Sequence, residues 1–596
     1  MKKFVSLALV SAMSLSLLAG CGGNTTEPSA APSQEPGAES QAPTADAFHL
    51  NVNIASEPES IDPAKNTTSD GNVMIQHMFE GLMTWKDSGT AVEGTDDANL
   101  ASLEPGQAES YDKATNDDGT VTYTFKLRSD ARWSDGKAVT AGDFVYAWQR
   151  LANPETISDY CYMIDMVVGY DAINGGMDAN GVALTAADLA NGAEAASHAD
   201  PTTLGIRAVD DSTLEIDLTY DCPYFLEMCA YPATYPVRQD TIEANGDQWI
   251  QSPDTYLVNG AYRLVKWEHN AEIVMEQNPE YYGVEELGPD TITFKLMDND
   301  NAILTAFKAG DLDFIKSMPV DEIPTLINDG QMSIAPQTSC YYVSYNVEKA
   351  PFDNPKVRQA FTLAINSQYI VDNITQCGQV PATGYVPTGV TVSGTTTDFR
   401  AEGGDYWAAP ITDEQYQKNV EQARQLLADA GYPNGEGLPT VTYTYNTMDS
   451  HKKIGEALQQ QWQEALGVNV KLENQDWNVF VENRKNGNYQ VARNGWNADY
   501  NDPITFLDMW TTGNGNNDAQ YSSAAYDDLI AQAKATSVAS ERSELMHKAE
   551  DMLMGQDWVL GPIYFYTYYY MFNDNLQGLY YKPTGQIFFK YVTPKA

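Results

Sequence analysis

The sequence predicts an α/β protein built from more than one packed unit, and three observations carry that expectation. At 596 residues the chain has room for roughly three to four domains of ordinary size. Runs in which apolar residues alternate at period two, the mark of half-buried strands, recur along it. From about residue 414 onward such runs alternate with apolar stripes of helical period, and strands that alternate with helices signify an α/β unit.

The chain opens with Lys2 and Lys3, runs apolar from Phe4 to Leu18 and reaches Leu18-Ala19-Gly20-Cys21. That order predicts a secretory signal over 1–20, too short to span a bilayer comfortably. Small residues directly before a cysteine resemble the bacterial lipobox, which implies that cleavage leaves Cys21 as a lipidated N-terminus. An ordinary signal peptide with an incidental cysteine is the alternative. Residues 24–46 carry Pro, Ser, Ala, Glu, Gln and Gly with almost nothing apolar enough to pack, so 21–46 is expected to be a lipidated cysteine and a disordered tether. Such a tether reaches about 25 Å from the membrane.

In the body, Val121, Tyr123, Phe125 and Leu127 interleave with polar residues as a strand, and Leu214, Ile216 and Leu218 repeat the pattern. Residues 171–200, rich in Ala, Gly, Asn and Asp, predict a surface elaboration. Val420, Ala423, Leu426, Leu427 and Ala430 share one helical face, closed by Gly431 and Pro433. Val441, Tyr443 and Tyr445 then alternate as a strand. Ile454, Leu458, Trp462 and Leu466 form a helical stripe that Gly467 ends, and Val468, Val470 and Leu472 return to period two. A third helix is expected from an Asp476 N-cap to Gly487, followed by a strand containing Tyr489 and Val491. Ligands of α/β units gather beyond the carboxyl ends of strands, which singles out 493–500. Gly561 to Phe572, apolar but short and Tyr-rich, suits a buried strand and not a membrane span.

With 82 acidic against 35 basic residues the formal charge is −47. Binding a phosphate backbone requires clustered Lys and Arg, so nucleic acid is not expected as a partner. The acidity predicts a solvated surface and a field that favours cationic ligands. Five cysteines besides Cys21, at 161, 222, 229, 340 and 377, include no C-x-x-C pair, which argues against a zinc or redox motif. A disulfide between Cys222 and Cys229 is allowed outside the cytoplasm but is not established by sequence. The six histidines are scattered, no G-x-S-x-G, H-E-x-x-H or P-loop is found, and no cofactor or metal is expected.

The segment Arg493-Asn494-Gly495-Trp496-Asn497-Ala498-Asp499-Tyr500-Asn501-Asp502-Pro503 admits two readings. One is a strand end, a loop and an N-cap with Pro503 in the first helical turn. That accounts for Asp502 or Asn501 but not for Asp499 or the Gly-Trp pair. The other is an exposed backbone edge ending in a carboxylate between aromatic walls, a shape suited to an extended peptide with a free ammonium.

At this segment the chain resembles the oligopeptide-binding proteins of peptide ABC transporters, the large family of solute-binding proteins. The resemblance runs in order along nearly the whole mature chain: Ala55-Ser56-Glu57 through Ser60-Ile61-Asp62-Pro63; Met78-Phe79-Glu80-Gly81-Leu82; Phe125-Lys126-Leu127-Arg128 through Ala131-Arg132-Trp133-Ser134-Asp135-Gly136 to Asp143-Phe144-Val145-Tyr146-Ala147-Trp148; Asn259-Gly260-Ala261-Tyr262; and Pro351-Phe352 through Val357-Arg358-Gln359-Ala360. It implies a two-lobe periplasmic-binding-protein-like fold of type II, cluster C, with an extra domain on the first lobe. The boundaries expected are 47–75 with 236–339 and 567–596 for lobe I, 76–235 for the additional domain, and 340–566 for lobe II.

The same resemblance implies that Asp499, in a Trp-x-Ala-Asp-Tyr pattern, holds a peptide ammonium while the backbone of Arg493, Gly495 and Asn497 bonds the peptide as a strand would. It implies that Arg493 and His451 meet C-terminal carboxylates, and that Trp477, Arg484 and Trp496 line side-chain pockets, with Asn259 and Glu57 at further pocket positions. Two departures stand out. Asn497 occupies the place of a cysteine that would pair with Cys340, and Thr375-Gln376 replaces a basic residue used for longer peptides.

The expected function is therefore capture of short peptides outside the cell and delivery to the permease subunits of an ABC importer. The protein is expected to act as a monomer, held to the membrane through the lipid on Cys21 alone, without catalysis. A binding protein for a non-peptide solute, a peptide-sensing lipoprotein and a cell-wall peptidase remain the alternatives.

Overall fold

The period-two runs become strands of one extended sheet. A computed structural model describes residues 47–54 and 57–595, so the expected signal, Cys21, the tether, and Ala55 and Ser56 lie outside the described residues. Ten strands follow one another across the sheet, and an eleventh, Val380–Pro381, pairs beside them with Leu560–Phe572. At one end are Val470–Gln475, Val441–Asn446 and Val491–Asn497, and at the other Phe314–Ile315, His49–Asn53, Thr291–Lys295, Glu272–Gln277 and Tyr262–Glu268. Two long strands, Ser333–Tyr345 and Leu560–Phe572, join the ends. Their pairing is antiparallel and shifts register between Pro336 and Cys340. Past that shift, Ser339–Tyr345 pair with Val491–Asn497, while Met571 and Phe572 pair with Ile315 and Phe314 at the opposite side. Two sets of strands thus share only two crossing strands, which is the architecture of two lobes on a common seam.

The helices expected from periodicity pack on this sheet. Asp413–Asp429 buries Val420, Ala423 and Leu427. Asp449–Leu466 buries all of Ile454, Leu458, Trp462 and Leu466, and it stops where Gly467, at φ 70°, takes the left-handed turn that glycine adopts without a Cβ penalty. Trp462 also donates through Nε1 to the Phe361 carbonyl at 2.8 Å. Removing a buried tryptophan of this kind costs about 3–5 kcal/mol. The third helix spans Trp477–Lys485 with Asp476 at its N-cap, but that side chain makes no capping bond.

Val121–Leu127 and Thr213–Leu218 lie side by side in a four-stranded antiparallel sheet with Ala108–Thr115 and Ile206–Asp210. The elaboration between 171 and 200 carries only two five-residue helices, of which Ala186–Ala190 buries nothing. Another small sheet crosses the expected boundaries: Leu579–Lys582 runs parallel to Ala98–Pro105. Leu50, Phe125, Trp148 and Tyr580 accordingly belong to one continuous core. No described helix is long and apolar enough to cross a membrane.

Candidate functional site

The strand Val491–Asn497 positions the site. Its burial alternates so that Arg493, Gly495 and Asn497 share the less buried face, as period two requires. Of the two readings open for this segment, a strand runs through Arg493 and persists to Asn497, because Ser339–Tyr345 pairs with it along its whole length. On its other side Val441–Asn446 pairs only at Tyr443 with Val491 and Thr444 with Ala492. Residues 493–497 therefore present a strand edge that no strand among the described residues covers. Within it the Gly495 N–H is met by Asn494 Oδ1 at 2.8 Å. A Cβ at 495 would stand 2.9 Å from the Tyr566 hydroxyl, so any larger residue there has to displace that ring.

The edge borders a cavity with about 2050 Å³ of empty space, part of it open to solvent. Asp499 closes one part of its wall and is almost fully buried, at 6% exposure. Its carboxylate accepts from the Tyr160 hydroxyl and the Thr505 hydroxyl, both at 3.4 Å. These bonds are long, and no basic side chain forms an ion pair with it among the described residues. Lys582 donates instead to the Asp499 carbonyl, at 3.1 Å. Burial pushes the Asp499 carboxyl up to about 7, against the pull of the Tyr231 hydroxyl, the Lys582 charge and the Thr505 and Tyr160 hydroxyls. A buried carboxylate so weakly compensated is stabilised by any cation that reaches it. Trp496, stacked 6.2 Å from Tyr160, donates through Nε1 to the Thr505 carbonyl and so ties the strand to the loop that carries Asp499.

The Arg493 guanidinium faces the Tyr341 ring at 5.4 Å, and its buried Nε has no acceptor among the described residues. His451 Nδ1 lies 3.2 Å from the Tyr341 hydroxyl. Burial, with the Arg493 charge beside it, holds the imidazole well below its ordinary pKa and keeps it neutral. Trp477 stacks on Phe480 at 6.3 Å, and Arg484 pairs with Asp518, which also accepts from Asn494. Asn497 reaches across the cavity to Ser69, its amide donating to Oγ at 2.6 Å. All eight of these expected positions line the cavity.

Asn259 and Glu57 do not. Asn259 is consumed by backbone: it accepts from Glu80 N at 3.1 Å and donates to Glu80 O at 2.9 Å. Glu57 is taken up by Trp267, His269 and the Asn270 N–H. Sequence reasoning missed Tyr160, Tyr231, Asp70, Lys316 and Asp518, which line the cavity from segments remote in sequence. The one available signal was Thr68-Ser69-Asp70, a helix start that follows the recognised Asp62-Pro63 turn.

All five described cysteines are free thiols, so the disulfide allowed between Cys222 and Cys229 is not formed, and Cys340 has no partner. Among the described residues no group of His, Cys, Asp or Glu is arranged to hold a metal ion.

Residues 102–518 match the model of the bacterial extracellular solute-binding proteins, family 5. The chain is 32% identical over 546 residues to the oligopeptide-binding protein OppA of Bacillus subtilis, covering 91% of this chain and 92% of that one. Among solved structures, OppA of Haemophilus influenzae in complex with the peptide RPPGFSPFR is 30% identical and superposes with a TM-score of 0.79 over 92% of this chain and 99% of its own. The murein tripeptide-binding protein MppA in its unliganded open form, also 30% identical and matched over 92% of this chain and 98% of its own, reaches only 0.57. The arrangement of the lobes here is thus nearer to the peptide complex than to the open form. With the two-lobe fold, the bordered cavity and a match over most of its length, the chain belongs to family 5 of the bacterial extracellular solute-binding proteins.

Proposed function

We propose that this protein captures short peptides in extended form outside the cytoplasm and delivers them to the permease subunits of an ABC importer. The observation that carries the reading is the uncovered edge of residues 493–497 ending at a buried carboxylate, Asp499, that lacks a cation. An extended peptide adds to such an edge through main-chain hydrogen bonds, which do not distinguish side chains. Its N-terminal ammonium supplies Asp499 with the missing charge. Arg493, and at another length His451, takes the C-terminal carboxylate, while Trp477, Trp496 and Arg484 border pockets whose ordered water adapts to different side chains.

The lobes close over the ligand: 47–75, 236–339 and 567–596 form the first, 340–566 the second, and 76–235 the added domain. Cys21 carries the lipid that holds the monomer at the membrane, and the bound peptide leaves unhydrolysed. Relatives named for oligopeptide binding and for a peptide complex support this assignment. Native mass spectrometry of protein purified from its host tests it. Co-purified masses corresponding to peptides of a few residues are expected, and a non-peptide solute in the cavity would displace the reading.

A further inference from the structure

Lys316 has no place in the scheme above. It directly follows the two-residue strand Phe314–Ile315. Ile315 faces one hydrophobic cluster and Phe314 another, and strand alternation puts Lys316 on the side of Phe314, where it lines the cavity and stands 5.2 Å from the Tyr568 ring. An ammonium has three donors to satisfy, yet among the described residues Nζ forms no hydrogen bond and no ion pair. Asp70 acts on it electrostatically without touching it, and one oxygen of Asp70 is itself buried and unbonded. Burial pulls the amine below its ordinary pKa, with Asp70 opposing. A base set into the cavity of a protein with 82 acids and 35 bases is no part of a general positive surface. At Thr375, which also lines the cavity, the side chain is turned to Gln379 and offers no charge.

We infer that Lys316 is a specificity-determining residue that binds a carboxylate of the captured peptide, distinct from the carboxylate that Arg493 takes in the shortest ligands. A carboxylate at Nζ supplies the acceptors that the protein withholds and restores a pair of charges inside the cavity. Its source is either the C-terminus of a longer peptide or an acidic side chain. The inference rests on the peptide-binding reading and adds a preferred ligand class to it: peptides whose carboxylate falls at one fixed distance from the ammonium held by Asp499.

Calorimetry decides it with defined probes. Tri-, tetra- and pentaalanine, each as free acid and as C-terminal amide, form one arm. C-amidated Ala-Glu-Ala and Ala-Ala-Glu-Ala with their Gln counterparts form the other. Each is titrated into the wild type, Lys316→Met and Lys316→Gln. In the wild type at least one acid other than trialanine, whose carboxylate Arg493 takes, should bind tenfold or more tighter than its neutral counterpart, and that ratio should collapse toward one in both variants. The arm in which it happens identifies the source. Acids and neutral counterparts that bind the wild type alike overturn the inference without any variant. So does the persistence in both variants of every such ratio beyond the trialanine pair, whose carboxylate Arg493 takes, or a variant loss equal for acids and amides. If Asp499-dependent binding survives while Lys316 proves irrelevant, the peptide reading stands alone. If the wild type binds none of the probes, the peptide reading itself fails.

Discussion

Asp502 and Arg542 meet in a two-pronged ion pair directly behind the loop that carries Asp499, with Nη1 to Oδ2 and Nη2 to Oδ1 both at 2.6 Å. Both side chains are almost excluded from water. The same carboxylate accepts from the Ile504 and Ser393 N–H groups, each at 3.0 Å, so it anchors the loop, the helix start and a neighbouring segment together. Arg542→Met removes the cation and leaves a buried charge, a change that typically costs about 3–5 kcal/mol. Denaturant unfolding should show a lower midpoint without a change in slope. An unaltered midpoint would show that the pair is dispensable to the fold.

Asp499 links the site to pH. Its folded value of about 7 lies above the ordinary 3.8, so between the two the folded chain keeps a proton that the unfolded chain has lost. Its contribution to stability is therefore complete below about pH 4 and is lost as the pH rises through about 7. Binding runs the other way, because an ammonium prefers the ionised carboxylate. Peptide affinity should rise about tenfold per pH unit up to about 7 and then level off. At pH 6 binding should release close to one proton, which calorimetry in buffers of different ionisation enthalpy reads directly. A flat profile that Asp499→Asn does not alter would dissociate this carboxyl from the ligand.

The elements were legible where a single periodicity governed them. Ile454, Leu458, Trp462 and Leu466 announced a helix whose buried face they form, and Val121 to Leu127 announced a strand. Strand order was not legible, since nothing local to Leu579–Lys582 tells that it pairs with Ala98–Pro105. At the site, the motif around Asp499 stood out because its residues are contiguous. Tyr160 and Lys316 did not, because each reaches the cavity from a different part of the chain. Asn259 misled for a physical reason: an amide buried against backbone carries the same letter as one facing a ligand.

Closure of the lobes has a readable contact. Lys485, at the end of the helix Trp477–Lys485, pairs with Glu59 at 2.7 Å and Asp159 at 2.8 Å, both in the N-terminal part of the chain. On the proposed lobe assignment this clamp forms only when the lobes meet. Peptide addition should reduce the radius of gyration in solution scattering. Lys485→Met should lower affinity several-fold, mainly through faster release. A radius that stays constant while binding is demonstrated would count against closure.

The lipid anchor is testable apart from the binding site. Cys21→Ser removes the acceptor thiol while leaving the cavity intact. The variant should appear in the medium with unchanged peptide affinity, and fractionation of the host cells measures the shift. A variant that stays with the membranes after signal cleavage would refute anchoring through Cys21.

The sharpest separation of a peptide receptor from a general solute receptor turns on one charge. Asp499→Asn preserves size and shape but sets a neutral amide against a buried cation. Removing one member of a buried pair costs about 2–5 kcal/mol, so a ligand bound at about micromolar strength should weaken about 30-fold or more. N-acetylation of the peptide removes the other member and should cost the wild type as much. Because both changes delete one interaction, their combined loss should be far smaller than the sum of the separate losses. The four titrations, two proteins against two peptides, yield that coupling directly. Equal affinity of the wild type for free and acetylated peptides would mean that Asp499 holds no ammonium, and the uncovered edge of residues 493–497 would then need a ligand of another chemistry.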